Sequence, residues 1–181
     1  MRKARNSLIG LSAAALVMIA TFEGYRGNSY DDGVGVQTIG FGTTQGVKPG
    51  SKTDPVRAMG MLLRDATAIT EEIARCIGDV PLYQHEADAF VSMAYNLGAT
   101  AICTSSIPKL LNQDPPDYLG ACKKILEFNK AKMLVKEVKI IDGQEVVTWV
   151  RKKVPIPGLT KRRQQEYEMC MTDKLEIAGN E

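Results

Sequence analysis

The stretch "FEGYRGNSYDDGVGVQTIGFG", residues 22–42, decides how the chain is read. It stands directly after an uncharged, mostly apolar run and changes character at once. Glu23 closes the apolar helix and Gly24 supplies a stop. "NSYDDG" (28–33) is a turn cluster, and "VGVQTIGFG" (34–42) alternates side chains as a strand does, with glycines that permit close backbone approach. Asp32 follows Glu23 by nine positions and Thr38 follows it by fifteen. Two carboxylates on different elements around a glycine-rich hairpin suit cleavage of a glycosidic bond. One protonates the leaving oxygen, while the other stays ionised to orient water or to support an oxocarbenium ion. A glutamate among apolar neighbours is the better acid, because desolvation raises its pKa, and an aspartate in a polar turn is the better base. Spacing alone is a weak signal, since paired acids in a loop are usually solvated, and Asp31 rivals Asp32 by chemistry.

Ahead of Glu23, Arg2, Lys3 and Arg5 give a positive start, and residues 6–22 carry no charge. Seventeen residues at about 1.5 Å rise make about 25 Å of helix, short of the roughly 30 Å hydrocarbon core. Asn6, Ser7, Gly10, Ser12 and Thr21 also dilute the run. The basic flank predicts a cytoplasmic N-terminus with the rest of the chain exported. A cleaved signal peptide fits the charge pattern, but small residues suited to cleavage fall around 13–15, which strands residues 16–22. A permanent anchor is the second reading, and a buried helix of a cytosolic protein is the blandest. The favoured reading is an uncleaved, marginal anchor over residues 1–22 that leaves the bilayer and folds with the rest.

The 181 residues suit one domain, or two small lobes sharing a core. With 44% hydrophobic and 24% charged residues the composition is that of an ordinary soluble protein, and a net charge of +2 is too small to point to nucleic acid. No repeat period is visible. Cys76, Cys103, Cys122 and Cys170 form no C-x-x-C pair, and His85 is the single histidine, so a zinc site is not expected. Export makes two disulfides the natural reading, and cytosolic location would leave four buried thiols. A Cys-His hydrolase built on Cys76 is disfavoured, because His85 falls in the first turn of a helix, where an exposed or capping role is expected.

Downstream, the chain reads as a helical scaffold. Thr53 or Asp54 caps a helix with Pro55 in its first turn, and Val56, Met59, Leu63, Ala66, Thr70, Ile73 and Ile77 recur as one apolar face. "YQHEADAFVSMAYNLG" (83–98) is a second helix, with Ala87, Phe90, Val91, Ala94 and Leu97 inward and Gly98 as its stop. Ser105 or Ser106 caps a third, and "PPDYLGACKKILEF" (115–128) begins a fourth. "VKEVKIIDGQEVVTWV" (135–150) has two β-rich arms around Asp142-Gly143, a hairpin signal. Trp149 either stacks on sugar or lies on a hairpin packed against the body. Arg151, Lys152, Lys153, Lys161, Arg162 and Arg163 form a basic cluster, read as a solvated face or as attraction to an anionic cell wall. Cys122 on the fourth helix and Cys170 on the last should be antiparallel neighbours. Among three connectivities this favours Cys122–Cys170, and hence Cys76–Cys103.

The spacing Glu23, eight residues, Asp32, five residues, Thr38 resembles the signature of bacteriophage-type lysozymes, glycoside hydrolase family 24. The resemblance continues in "ADAFVSMAYNLGATAICTSSIPKLLN" (87–112) and "PGLTKRRQQEYEMC" (157–170). It implies an α+β, mainly α, lysozyme-like fold, in which a small β-hairpin lobe is joined by a long helix to a larger helical lobe. The boundaries expected are 23–53, 54–77 and 78–181, the last with an inserted hairpin at about 135–150. It implies a muramidase that cuts the β-1,4 bond between N-acetylmuramic acid and N-acetylglucosamine, generally with inversion. Glu23 would be the general acid, with Asp32 and Thr38 holding the attacking water; the spacing selects Asp32 over Asp31. Arg162 aligns with a family arginine near the catalytic glutamate, and Tyr30 and Gly35 are expected to bind substrate or support the site.

The first 22 residues resemble the signal-arrest-release segment of some phage endolysins. That implies peptidoglycan as partner and the host inner membrane as a first location, facing the periplasm, followed by release into the periplasm. A monomer without cofactor, metal or nucleic acid is expected. No cysteine lies within residues 1–22, so release would follow loss of membrane potential or slow escape rather than disulfide exchange with the anchor. Two departures stand out: Gln37 occupies a place where a large aromatic is often found, and residues 132–154 are an insertion relative to shorter members. A lytic transglycosylase and a non-catalytic, membrane-tethered wall-binding module are the competing readings.

Overall fold

Asp54 accepts the Arg57 amide at 2.9 Å and so starts the longest helix of the chain, with Pro55 at its first position, where a missing N–H loses nothing. A computed structural model describes residues 10–33, 35–141 and 144–172. In chain order the elements are α1 (Ala13–Glu23), β1 (Arg26–Asp31), β2 (Gln37–Gly40), α2 (Pro55–Ile77), α3 (Gln84–Leu97), α4 (Ala99–Cys103), α5 (Ile107–Asn112) and α6 (Tyr118–Lys124). A 3-10 turn (Ile125–Glu127) leads to β3 (Lys130–Ile141), β4 (Gln144–Pro155) and α7 (Pro157–Cys170). The fold is mainly helical: a small antiparallel β1–β2 hairpin is joined by α2 to a larger helical body, and β3–β4 form a second hairpin.

The body is built around α3. Ala89, Phe90, Val91, Met93 and Ala94 are buried, together with Ile73 and Ile77 of α2, Ile102, Ile107, Leu111 and Ile125. Burying each large aliphatic side chain stabilises the fold by about 1.5–3 kcal/mol. The single inward stripe expected for α3 is corrected: Glu86, Asp88 and Ser92 are buried too, while Leu97 is exposed. Helices packed on several sides of α3 leave it almost no solvent face, so an amphipathic pattern has nothing to record. Gly98 ends the helix as expected, its N–H donating to the Ala94 carbonyl at 2.7 Å.

The expected apolar face of α2 is correct only in its second half. Ala66, Ile73 and Ile77 are buried, but Val56 and Leu63 are exposed, and Ala58 and Leu62 point inward instead. The reason is the close approach of β2. Gly40, with φ of +67°, lies where an added Cβ would come 3.0 Å from the Ala58 Cβ, so small residues set the inward face at this end.

Two disulfides pair the four cysteines. Cys76–Cys103 ties the end of α2 to α4, and Cys122–Cys170 ties α6 to α7.

α1 is seated on the body. Its N-cap Ser12 accepts the Ala15 amide through Oγ and donates its own amide to Asp88 at 3.0 Å. Gln84 donates to the Gly10 carbonyl at 2.8 Å, and Ala15 and Ile19 are fully buried. The helix therefore starts later than the uncharged run, of which residues 6–9 lie outside the described residues, as do Arg2, Lys3 and Arg5. Among the described residues no helix is long and apolar enough to cross a membrane.

The inserted hairpin is longer than residues 135–150, with twelve paired positions from Lys130↔Pro155 to Ile141↔Gln144. The Asp142-Gly143 turn lies outside the described residues. Trp149 is exposed, and the basis for the longer pairing is plain at the base, where the Ile156 amide donates to the Asn129 carbonyl at 2.9 Å. Asn129 also reaches Thr160 at 3.2 Å, which joins the hairpin to the first turn of α7.

Candidate active site

Glu23 is the last residue of α1, and Gly24 closes the helix by donating to the Ala20 carbonyl at 3.0 Å. That stop turns the chain directly into β1, so the carboxylate sits where the helix meets the hairpin. Its Oε1 accepts Arg162 Nη1 at 2.7 Å, and the pair is mostly buried. The other oxygen faces the hairpin's return: an added Cβ at Gly42 would lie 3.4 Å from Oε2. Gly42 also has φ of +92°, a conformation that side chains resist, so both space and backbone favour glycine beside Glu23. The apolar surroundings expected for Glu23 are thus replaced by a guanidinium on one side and a glycine on the other.

Arg162 is itself held from three directions. Nε faces Glu166 at 3.2 Å, Nη2 donates to the Ser92 carbonyl at 3.3 Å, and the guanidinium lies 4.6 Å above the Phe22 ring. Glu166 in turn accepts the Ser92 hydroxyl at 2.8 Å and Arg163 Nη2 at 2.9 Å, with Arg163 Nε 2.6 Å from its second oxygen. Arg163 reaches on to Asn96 at 3.2 Å. Burial pushes the Glu166 carboxyl up, against the pull of both guanidiniums and the Ser92 hydroxyl. Burial likewise pushes Arg163 down, opposed chiefly by Glu166. The basic cluster expected at 151–163 therefore divides. Arg151, Lys152, Lys153 and Lys161 are exposed, but Arg162 and Arg163 are inside the protein. Their charges are matched within the fold, so they are not part of a surface field.

The hairpin carries the remaining expected residues. Tyr30 pairs with Thr38 and Asp31 with Gln37. Asp32 lies one residue beyond the end of β1, its amide donating to the Val36 carbonyl at 3.1 Å. Asp31 is occupied by the turn, accepting the Gly33 and Gly35 amides at 2.8 and 3.1 Å. Asp32 accepts the Val36 amide at 3.1 Å. Thr38 is buried, its hydroxyl 3.4 Å from the Val36 carbonyl. Tyr30 is partly exposed, with Arg26 5.2 Å from its ring centroid. The structure thus joins Glu23 to Arg162 by direct contact, and groups Tyr30, Asp32, Gly35 and Thr38 on the hairpin.

Sequence reasoning missed Ser92, Asn96, Glu166 and also Tyr95, and it placed Arg163 in a surface cluster. Ser92 and Asn96 are four apart on α3, and Glu166 follows Arg162 by four and Arg163 by three on α7; two facing polar sets at one-turn spacing were the available signal. Tyr95 donates to the Phe41 carbonyl at 2.9 Å, pinning the loop behind Gly42. Burial, then the Asp65 and Glu23 carboxylates, raise its phenol above the usual range. Nearby, Thr43 donates to Asp65 at 2.6 Å. Among the described residues no group of three or more His, Cys, Asp or Glu converges as a metal ion would need. His85 is half-buried and stacks on Tyr83, with ring centroids 5.5 Å apart.

Residues 20–166 match the phage lysozyme family. An endolysin of Acyrthosiphon pisum secondary endosymbiont phage 1 is 34% identical, over 86% of this chain and 94% of its own. A SAR-endolysin of Pseudomonas phage phiKMV is 32% identical, over 88% of this chain and 87% of its own. The solved structure of an endolysin from Escherichia coli O157:H7 phage FAHEc1 superposes with a TM-score of 0.69 at 31% identity, covering 90% of this chain and 94% of that one.

Proposed function

The chain belongs to the phage lysozyme family and is a lysozyme hydrolase of the endolysin kind, and from that premise we propose which residues perform its chemistry. Glu23 donates the proton to the glycosidic oxygen between N-acetylmuramic acid and N-acetylglucosamine in peptidoglycan. Asp32 and Thr38 hold the attacking water from the hairpin. The observation that carries this reading is the Arg162–Glu23 contact, which fixes one carboxylate oxygen and turns the other toward the glycine-lined hairpin. Arg162 is a positioning residue, and Tyr30 and Gly35 shape the hairpin's sugar-facing surface.

Glu23→Gln keeps the shape and removes the proton donor, so it should abolish clearing of a peptidoglycan suspension with folding nearly unchanged. General acid catalysis alone contributes about 10²–10⁴-fold. Wild-type turnover by Glu23→Gln would sink the assignment, and failure of the wild-type protein itself to clear peptidoglycan would favour the non-catalytic reading. Anhydro-sugar ends among the products would instead identify a lytic transglycosylase, against which Asp32 and Thr38 argue.

The membrane history of the chain is part of the same proposal. Residues 6–22 serve as a marginal anchor in the host inner membrane, as the name of the phiKMV relative implies for that protein, and the seated α1 represents the released, periplasmic enzyme. The ties from Gly10 and Ser12 to Gln84 and Asp88 support this, because they exist only when the segment leaves the bilayer.

A further inference from the structure

One face of the β3–β4 hairpin carries both kinds of group that a lipid surface binds. Residues directly paired across the two strands share a face, which places Lys130, Lys132, Lys136, Arg151 and Lys153 together on one side. All five are exposed, and Glu145 is the single acid among the described residues of that face. Leu134, Val138, Ile140, Val147 and Trp149 stand on the same face, between 46% and 66% exposed. The two sets are ordered along the hairpin. Lys132 faces Lys153 near the base, Leu134 faces Arg151 and Lys136 faces Trp149 midway, and Val138 faces Val147 beyond them. Large exposed apolar groups in one patch bounded by charge mark an interaction surface rather than ordinary surface.

We propose that this face binds a bilayer surface carrying anionic phospholipid headgroups. The outer half, with Ile140, Val138 and Val147, enters the interfacial layer. Trp149 sits at headgroup depth, where its amphipathic ring is favoured, and the basic inner half lies over the anionic headgroups. Charge and hydrophobicity together select this occupant. A glycan strand would stack on Trp149 but leave four aliphatic side chains in water. A second copy of the chain would bring five like charges against five. The proposal is independent of the catalytic residues and of the N-terminal segment.

Trp149 is the only tryptophan in the chain, so its emission reports on this face alone. Full-length protein added to vesicles of phosphatidylglycerol and phosphatidylethanolamine should show blue-shifted emission that brominated acyl chains quench. Phosphatidylcholine vesicles should leave it unchanged. Neutralising Lys132, Arg151 and Lys153 together, each to Gln, should weaken vesicle binding by about tenfold or more. The same variant should hydrolyse isolated peptidoglycan at the wild-type rate. Unshifted Trp149 emission with anionic vesicles overturns the proposal even where the protein sediments with them, because residues 1–22 then do the binding. A shift produced by peptidoglycan and not by vesicles assigns the face to the wall. A shift that follows protein concentration alone assigns it to a second copy. Either result also overturns the proposal.

Discussion

Arg162 and Glu23 are 139 residues apart in the chain, and their side chains meet at 2.7 Å. The contact joins the N-terminal helix to the C-terminal one across the site, and Glu166 and Ser92 fix the guanidinium that makes it. A single planar fork serves an acid on either side and a carbonyl behind.

Lysine carries the charge but not the fork. Arg162→Lys should therefore retain the fold while Glu23 loses its fixed direction. A small misplacement of a catalytic group is worth up to about 10²-fold. The expected result is a fall in kcat of about tenfold to a hundredfold with KM nearly unchanged. A rise in KM at constant kcat would place Arg162 on the substrate instead of on Glu23.

Tyr95 links stability to alkaline pH. Its phenol is raised by burial and by the Asp65 and Glu23 carboxylates. A folded pKa above the unfolded one gives stability that is complete below the unfolded value, near pH 10, and is lost as pH climbs through the folded value. Tyr95→Phe should cost about 1–2 kcal/mol at neutral pH through the unpaired Phe41 carbonyl. Its stability should then decline less than wild type above about pH 10. Urea unfolding at the two pH values measures both effects, and equal alkaline losses would remove Tyr95 as their source.

The two disulfides differ in access. Cys122 and Cys170 are each 2% exposed, whereas Cys76 and Cys103 are half-buried. Thiolate attack needs approach to sulfur, so mild reductant should open Cys76–Cys103 first and spare Cys122–Cys170 until the body unfolds. Each opening should lower stability by about 2–4 kcal/mol. Peptide mapping after timed alkylation gives the order, and the reverse order would contradict it.

Ser12 acts in both of the states proposed for the N-terminal segment. In the folded state it caps α1 and donates to Asp88. Ser12→Leu removes a cap worth about 1 kcal/mol and, with Gly10→Leu, makes the run more apolar. The double variant should accumulate in the membrane fraction and lyse late. Unchanged release, or a mature chain starting near Thr21, would mark the segment as an ordinary signal.

Much of this arrangement was legible where local chemistry settled it. Asp54-Pro55 opens α2, Gly24 and Gly98 close their helices, and the spacing of Glu23, Asp32 and Thr38 pointed to the family that the comparisons show. The sequence was silent where neighbours decided. Val56 and Leu63 fit a helical stripe as well as Ala58 and Leu62 do, and tertiary neighbours such as Gly40 against Ala58 select between them. Arg163 read as one of a basic cluster at the surface because charge is normally outside, and Glu166 gave no signal of its own. They are buried because their partners come from α3, far away in sequence.

The chain leaves the body after Asn129 and returns at Ile156 through one backbone hydrogen bond, with Thr160 steadying the joint. Those two bonds tie the base of the excursion to the body and to the first turn of α7. The entropy of closing such an excursion grows only with the logarithm of its length. The junction is therefore a socket: what is plugged in over residues 130–155 can be lengthened, exchanged or dropped while the helix that bears Arg162 still begins in the same place.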